Sequence, residues 1–239
     1  MDIIKGGIIA AGHGERFKRL GIQTPKPMLR VHGKPLLHWT LSRFVEAGIE
    51  DLTLIFNETN AAICSDYIGE HFRGLKITRI VKNTASSFES FWEVSSAIGA
   101  GPFLITTVDS IYPPGELKTF STAAARYPAG TLVLGITSFV EDEKPLYVEM
   151  DVNQKIVSLG PGKTPWVTNG VYWMPAVPLR SKKHYSALRD YLKDLIESGT
   201  SAFGIDMGKS VDIDGPRDIK AAESFLSTSF FSRPEKPTA

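Results

Sequence analysis

Short apolar runs and longer segments of helical period alternate through the first half of the chain. Runs rich in Ile, Val, Leu and Thr predict strands over residues 6–10, 52–56, 75–81 and 103–108. The segments between them predict helices over residues 35–47, 59–72 and 88–98. Gly48 closes the first helix, and Ser86 with Glu89 forms a capping box before the third. This alternation is typical of βαβ units around a mostly parallel sheet.

The pattern changes after Asp109. A helix is predicted over residues 114–126, then strands over 131–137, 146–150, 155–159 and 167–173, a helix over 184–197 and a strand–helix pair over 210–225. The turn at 151–154 predicts an antiparallel hairpin. We therefore expect a three-layer α/β/α, Rossmann-like, mostly parallel sheet with antiparallel strands added in the second half. One domain over 1–227, with halves at 1–112 and 113–227, precedes a flexible tail at 228–239.

Composition and charge exclude several classes of protein. Of the 239 residues, 42% are hydrophobic and 22% are charged, which is close to the globular average. The net charge of +1 argues against nucleic acid as a dedicated partner. Cys64 has no second cysteine to pair with, and the apolar N-terminal stretch is too short to cross a membrane. We expect a soluble, cytoplasmic protein with no membrane partner.

A loop of small residues follows the first predicted strand directly. It runs Ala10, Ala11, Gly12, His13, Gly14, and such residues let backbone amides approach an anion closely. A dinucleotide-binding fingerprint would have a third glycine here, and a Walker-type loop would have a Lys followed by Ser or Thr. The sequence matches neither motif.

The segment after this loop is strongly basic. Residues 12–34 carry six basic side chains and one acidic one, Glu15, for a local charge of +5. The prolines on either side of Lys26 restrict the backbone and hold its ammonium in a defined place. A concentrated positive charge of this kind suits a polyphosphate ligand. The alternative interpretation of the segment is a basic loop that is simply solvated. The basic residues are Arg16, Lys18, Arg19, Lys26, Arg30 and Lys34.

Three motifs together resemble a known superfamily. They are Ala-Ala-Gly-x-Gly-x-Arg ending at Arg16, Thr-Pro-Lys-Pro around Lys26, and Gly-Lys-Pro-Leu from Gly33. They are similar to those of the sugar-1-phosphate nucleotidyltransferases, which have a glycosyltransferase-A-like fold. The resemblance implies a nucleotide-binding first half and an acceptor-binding second half. It also implies that the loop of residues 12–14 wraps a triphosphate, while Arg16 and Lys26 act in catalysis on the α-phosphate and the leaving pyrophosphate.

Carboxylates at two distant positions are candidate ligands for Mg²⁺. Asp109 follows an apolar strand at its carboxyl end, where open α/β sheets bind ligands, and the resemblance places a metal aspartate there. Its alternative role is to cap the next turn. A second ligand is expected from Asp212 or Asp214, which strand alternation places on one face. We favour Asp212 as the ligand and Asp214 as a helix cap, and the reverse assignment stays open.

The resemblance also suggests contacts for the base and for the acceptor. Asn83 and Ser87 follow the third predicted strand, where related enzymes read the base. The Asn-Gly pair at residue 169 has a simpler alternative role as a turn or bulge. The acceptor-side candidates are Lys163, Asn169, Gly170 and Tyr172.

These features favour one function and leave two alternatives. We expect a Mg²⁺-dependent nucleotidyltransferase that joins a nucleoside monophosphate unit to a phosphorylated acceptor, first a sugar 1-phosphate with UTP or dTTP, in nucleotide-sugar biosynthesis. The expected partners are the nucleoside triphosphate and that acceptor, and the sequence leaves open whether the chain also forms a homo-oligomer. One alternative is a cytidylyltransferase for phosphocholine or a similar small alcohol phosphate. The other, of a different class, is a non-catalytic regulatory protein that binds nucleotides or sugar phosphates.

Overall fold

The computed structural model describes residues 4–140, 145–162, 164–175 and 185–231. The first half consists of β1 Lys5–Ala10, α1 Glu15–Arg19, a 3-10 turn Lys26–Met28, β2 Arg30–Val31, β3 Lys34–Pro35, α2 Leu36–Glu46, β4 Asp51–Phe56, α3 Ala61–His71, β5 Lys76–Val81, α4 Ser87–Ile98 and β6 Phe103–Thr107. The second half consists of β7 Ser110–Ile111, α5 Glu116–Ala124, β8 Leu132–Thr137, β9 Tyr147–Met150, β10 Ile156–Gly160, β11 Trp166–Met174, α6 Leu188–Glu197, β12 Ala202–Asp206, β13 Val211–Asp212 and α7 Pro216–Phe231.

Within the described residues, nine strands form one sheet. The strands β10, β9, β11, β6, β1, β4 and β5 lie side by side in that order, and β8 joins β11 to β12. The pairs β1–β4, β1–β6 and β4–β5 are parallel, whereas β11 runs antiparallel to β6, β8 and β9. The predicted α/β class, with a parallel first half and antiparallel additions in the second, is confirmed.

Helices cover both faces of this sheet. The apolar sides of α2, α3 and α5 pack on one face, and those of α4 and α6 pack on the other. Phe44 of α2 and Phe91 of α4 are almost fully buried, and each such ring contributes roughly 1.5–3 kcal/mol through burial. A third apolar cluster joins α7 to α2 and to Phe17 of α1. The sheet is therefore enclosed on its faces, and its strand ends stay available for a site.

The helix starts and ends differ from prediction where local geometry decides them. Ser86 caps α4 by accepting a hydrogen bond from the Glu89 N–H, but the Glu89 carboxylate accepts from the Ala85 N–H instead of the Ser86 N–H. The helix predicted over 184–197 begins at Leu188. The last helix continues past residue 225 to Phe231, so its end includes the first residues of the predicted tail. Residues 232–239 lie outside the described part of the chain.

Several short elements were not predicted. A two-residue turn, His32 and Gly33, joins β2 to β3, and both residues have positive φ angles of 47° and 73°. Such turns suit the twist of a hairpin. The strand β12 is interrupted by Gly204 and alternates between buried and half-buried positions, so it lacks a continuous apolar run. These elements depend on tertiary pairing more than on local pattern. No helix in the described ranges has both the length and the hydrophobicity needed to cross a bilayer.

Candidate active site

The glycine loop leaves the carboxyl end of β1 and leads into α1. Gly14 is the residue before that helix, and its φ of 64° is in the left-handed region that favours glycine. A Cβ atom at Gly14 would lie 3.4 Å from the Cβ atom of Lys26, so the loop and the 3-10 turn are packed together. Gly12 and His13 are exposed. The loop thus presents its backbone to solvent while its far end is fixed against Lys26.

A cleft opens between this loop and the carboxyl end of β6. We call it the first cleft, and its wall combines the glycine loop and the adjoining α1 with residues from four later parts of the chain. The wall includes Ala10, Ala11, Gly12, His13, Gly14, Arg16, Lys26, Thr84, Ser87, Ser90, Asp109 and Asp214. The structure therefore brings together most of the predicted nucleotide side with Asp109, as the strand-end rule requires.

A buried ammonium lies between two carboxylates in the first cleft. The Nζ atom of Lys26 is 2.5 Å from Oδ2 of Asp109 and 3.0 Å from Oδ1 of Asp214. The Lys26 side chain is only 13% exposed. The NH1 atom of Arg16 is 3.1 Å from the other oxygen of Asp214. Two cations and two carboxylates thus form one connected cluster.

The ion pairs of this cluster favour the charged forms of Lys26 and Asp109. Burial by itself lowers the pKa of Lys26, but the carboxylates of Asp109 and Asp214 raise it more, so the pKa lies above its ordinary value. Burial acts to raise the pKa of Asp109, but the adjacent Lys26 ammonium holds that pKa below its ordinary value. Removing one partner would leave a poorly solvated charge uncompensated.

Backbone contacts bring the distant carboxylates together. The Ile213 N–H donates to the Asp109 carbonyl at 3.0 Å, and β13 pairs antiparallel with β7 beside it. The carboxylate of Asp218 accepts hydrogen bonds from the N–H groups of Asp214 and Gly215, at 2.9 and 2.6 Å. Asp218 therefore satisfies the backbone at the turn before α7, which was the capping role expected of Asp214. The Asp214 side chain faces Lys26 and Arg16 instead.

Asp212 lies in a different environment. Its Oδ1 accepts a hydrogen bond of 2.6 Å from the Ser110 hydroxyl. Asp212 lines a second cleft adjacent to the first. Two members of the charged cluster, Arg16 and Asp214, line this second cleft as well. Of the two aspartates predicted on one face, Asp214 is the one that shares Lys26 with Asp109. The alternation of side chains along a strand does not relate Asp212 to Asp214, because β13 ends at Asp212 and Asp214 lies beyond it.

The second cleft is formed mainly by the second half of the chain. Asn169 lines it, is 1% exposed and has no hydrogen-bond partner for its Nδ2 atom within the described residues. Its Oδ1 accepts from the Val171 N–H at 3.3 Å. The wall of the second cleft also includes Arg16, Phe139, Thr168, Asp212, Asp214 and Arg217.

Gly170, next to Asn169 in β11, has a conformation and surroundings that exclude a side chain. Its φ is 79°, and a Cβ atom there would lie 2.6 Å from the Ser110 Oγ and 2.8 Å from the Thr107 Oγ1. The pairing of β11 with β8 shifts register between Thr168 and Tyr172. The bulge that was the alternative interpretation of the Asn169-Gly170 pair is therefore present. Asn169, at this bulge, lines the second cleft.

Of four further predicted contact residues, Ser87 lines a cleft, Asn83 and Tyr172 lie elsewhere, and Lys163 is outside the described residues. The Asn83 side chain bonds to the backbone and carboxylate of Glu58, at 3.1 and 2.9 Å, and Asn83 is outside the first-cleft wall as described. Tyr172 is buried in the core beneath α4 and α6, and burial raises its pKa to about 12. Ser87 lines the first cleft, with its Oγ accepting from the Leu188 N–H at 3.0 Å. Lys163 lies outside the described residues.

Two buried asparagines were missed by the sequence analysis. Asn57 and Asn60 follow β4, are 1% and 0% exposed, and donate to carbonyl oxygens of the glycine loop. The signal that pointed to Asp109 applies to Asn57 as well, because it is a polar residue at the carboxyl end of a buried strand. Thr84 and Ser90, whose hydroxyls are 2.7 Å apart, were also missed in the first-cleft wall.

The carboxylates of Asp109 and Asp214 fit a hard divalent cation whose other ligands are water and phosphate oxygens. Among the residues that the structure describes, no group of three or more His, Cys, Asp or Glu side chains could enclose a metal ion. Two carboxylates, those of Asp109 and Asp214, converge on one cationic nitrogen. Mg²⁺ commonly takes one or two protein carboxylates and completes its shell with water and phosphate oxygens. The pair therefore suits Mg²⁺ that is shared with a bound phosphate.

Comparison with known proteins defines the family. The family model described as nucleotidyl transferase matches residues 5–226, and the chain belongs to this family. Solved structures agree in fold. The inositol-1-phosphate CTP transferase from T. maritima superposes with a TM-score of 0.80 at 18% identity, covering 98% of this chain and 99% of that one.

Curated relatives match over part of their length. The chain is 32% identical over 126 residues to N-acetylmuramate alpha-1-phosphate uridylyltransferase of Neisseria meningitidis serogroup B, covering 51% of this chain and 54% of the relative. It is 26% identical over 159 residues to CMP-5'-(3-aminopropyl)phosphonate synthase of Streptomyces rubellomurinus, covering 59% of this chain and 25% of the relative. The similarity thus spans about half of the first relative and a quarter of the second.

Proposed function

We propose that this chain is a Mg²⁺-dependent nucleotidyltransferase. A phosphate oxygen of the acceptor attacks the α-phosphorus of a nucleoside triphosphate, the bond from that phosphorus to the bridging oxygen breaks, and pyrophosphate leaves. The observation that carries the proposal is the cluster in which Lys26 lies between Asp109 and Asp214, facing a glycine loop. Phosphoryl transfer needs little covalent help from the protein, so positioned charge is the main requirement.

The glycine loop and the two cations of the first cleft have separate roles in this reaction. The backbone of Gly12, His13 and Gly14 takes the phosphates, because exposed N–H groups in a small-residue turn bind anions. Lys26 and Arg16 stabilise the charge that develops on the α-phosphate and on the leaving pyrophosphate. The Lys26 side chain has a flexible stem of four carbons, so its ammonium can turn from the carboxylates to a bound phosphate.

Asp109 and Asp214 are the residues that would hold Mg²⁺, which reverses the favoured assignment of Asp212. The ion supplies charge neutralisation and orientation for the phosphate oxygens. Asp212, bonded to Ser110 on the second-cleft side, is left to contact the acceptor. The protein thereby lowers the repulsion between two anionic substrates that must meet at one phosphorus.

The second cleft is the proposed acceptor site. Its buried Asn169 amide offers an unused donor for an acceptor oxygen, and Arg217 supplies positive charge. A sugar 1-phosphate is the first choice, supported by the similarity to a uridylyltransferase whose name contains such a substrate. A cytidylyltransferase for a small alcohol phosphate is the second, supported by the similarity to a CMP-phosphonate synthase.

Pyrophosphate release tests this proposal. The purified chain is incubated with Mg²⁺, each of the common nucleoside triphosphates and a panel containing sugar 1-phosphates and small alcohol phosphates. We expect turnover with one triphosphate and one acceptor class. Tight triphosphate binding with no turnover for any pair would favour the non-catalytic regulatory protein over the enzyme.

A further inference from the structure

Two buried side-chain amides lie directly behind the glycine loop. The Nδ2 atom of Asn57 donates to the carbonyl oxygens of Ala11 and Gly12, at 3.0 and 3.3 Å. The Nδ2 atom of Asn60 donates to the Ala10 carbonyl at 3.1 Å. Three consecutive carbonyls at the start of the loop are therefore held from one side.

The other end of the Asn57 amide is fixed as well. Its Oδ1 accepts from the N–H groups of Thr59 and Asn60, both at 3.0 Å, and from the Thr59 hydroxyl at 2.7 Å. Because donors surround the oxygen and carbonyls face the nitrogen, the amide has one satisfied orientation. Asn57 therefore links the beginning of α3 rigidly to the loop.

This link determines where the loop N–H groups point. In a trans peptide the C=O and N–H groups of one unit point in opposite directions. The Ala11 carbonyl shares its peptide unit with the Gly12 N–H, and the Gly12 carbonyl shares its unit with the His13 N–H. Holding both carbonyls toward Asn57 turns these two N–H groups away from it.

We propose that Asn57, supported by Asn60, is a positioning residue that presets the Gly12 and His13 N–H groups for the triphosphate. The proposal rests on the proposed function, because it assigns the triphosphate to this loop. Asn57 is buried and acts through the loop backbone. Preorganised donors cost no reorientation when the anion arrives, so losing them weakens binding of phosphate and leaves the acceptor site unchanged.

The test uses the nearly isosteric Asn57→Asp variant. It keeps the accepting oxygen but replaces the donor nitrogen by an oxygen that faces the Ala11 and Gly12 carbonyls. We expect the KM for the nucleoside triphosphate and the Kd for inorganic tripolyphosphate to rise at least tenfold, with the acceptor KM within twofold of wild type. Ile55→Val, at a buried position on the same strand, is the matched control and should leave all three constants unchanged.

A second variant keeps the test decisive if the first fails to fold. In Asn57→Ser the hydroxyl can still accept from the Thr59 N–H, but the shorter side chain no longer reaches the loop carbonyls. Circular dichroism establishes folding for each variant. A folded variant with an unchanged tripolyphosphate Kd, or with equal rises for triphosphate and acceptor, would overturn the positioning role. A wild-type chain that neither binds nor turns over any triphosphate would instead reject the proposed function.

Discussion

The two clefts differ in how completely the protein satisfies its own polar groups. In the first cleft, Lys26, Asp109, Asp214 and Arg16 already neutralise one another. In the second cleft the buried Asn169 Nδ2 has no partner among the described residues, and Phe139 is 48% exposed. A buried donor without a partner has lost its hydration, so a ligand that accepts from it gains a full hydrogen bond.

This difference suggests that the first cleft carries out the reaction and that the second cleft selects the acceptor. The first cleft presents backbone N–H groups and charged side chains, and under the proposed function the phosphates of any nucleoside triphosphate would use them. The second cleft contains one buried donor, the Asn169 Nδ2 atom, that has no partner among the described residues, and a site built to bond a particular group strongly rejects analogues that lack it. We therefore expect substitutions in the first cleft to abolish turnover for all substrate pairs and substitutions in the second to change the choice of acceptor.

Asp109→Asn gives the largest expected effect. It removes a carboxylate charge from the proposed Mg²⁺ position, so turnover should fall more than a thousandfold, about 4 kcal/mol, and the stimulation by Mg²⁺ should disappear with it. Pyrophosphate release is measured against Mg²⁺ concentration. The control is Asp51→Asn, which removes an exposed ion pair with Lys76. A variant that stays active and Mg²⁺-stimulated would contradict the role of Asp109.

Lys26→Met should lower kcat at least a hundredfold, about 3 kcal/mol, for every triphosphate and acceptor that turns over. The methionine fills the same space but carries no charge to meet the phosphates. Steady-state rates are compared with those of Lys18→Met, which removes an exposed lysine that pairs with Glu15. Near-normal turnover in the first variant would remove Lys26 from the mechanism.

Gly170→Ala tests the bulge in β11 that positions Asn169. The new Cβ atom would overlap the Ser110 and Thr107 hydroxyls in a backbone conformation that disfavours alanine. We expect the free energy of unfolding to fall by about 2 kcal/mol, measured by urea denaturation. Gly69→Ala, in α3 with open space around it, is the control and should be neutral or slightly stabilising. Equal stability of the two variants would show that the bulge tolerates a side chain.

Asn169→Ala should have the smallest effect and the most selective one. Loss of one hydrogen bond to the acceptor raises its KM about tenfold, near 1.4 kcal/mol, while the KM for the triphosphate stays within twofold. Initial rates are measured while each substrate is varied in turn. An equal change in both constants would show that the clefts are not independent, and no change would remove Asn169 from the acceptor site.

Local pattern is sufficient for the four parallel strands and the three long helices of the first half, and for the acid at the end of β6. A continuous apolar run delivers Asp109 at the carboxyl edge of the sheet, and flanking prolines mark Lys26 as a positioned charge. Both residues lie in the first cleft. The position of Asp109 is predictable because buried parallel strands impose a simple geometry: their direction determines where the next residue lies.

The remaining assignments depended on irregular backbone. Alternation placed Asp212 and Asp214 on one face, but β13 is two residues long, and Asp214 lies in the turn beyond it. The bulge at Gly170 changes the register of β11, so Asn169 lines the cleft while Tyr172 enters the core. A bulge or a strand end is determined by distant partners such as Ser110, which the local sequence does not specify.

The hydrogen bond from the Ile213 N–H to the Asp109 carbonyl joins the centre of the sheet to one of the last elements of the chain. A ribosome-bound or proteolysed fragment that stops before β13 would possess the glycine loop, Lys26 and Asp109, yet would lack the opposing acid. Such a fragment could retain a nucleotide without turning it over. Under the proposed function, the pair of carboxylates that would hold Mg²⁺ is complete only when the segment that carries Asp214 is docked against Asp109.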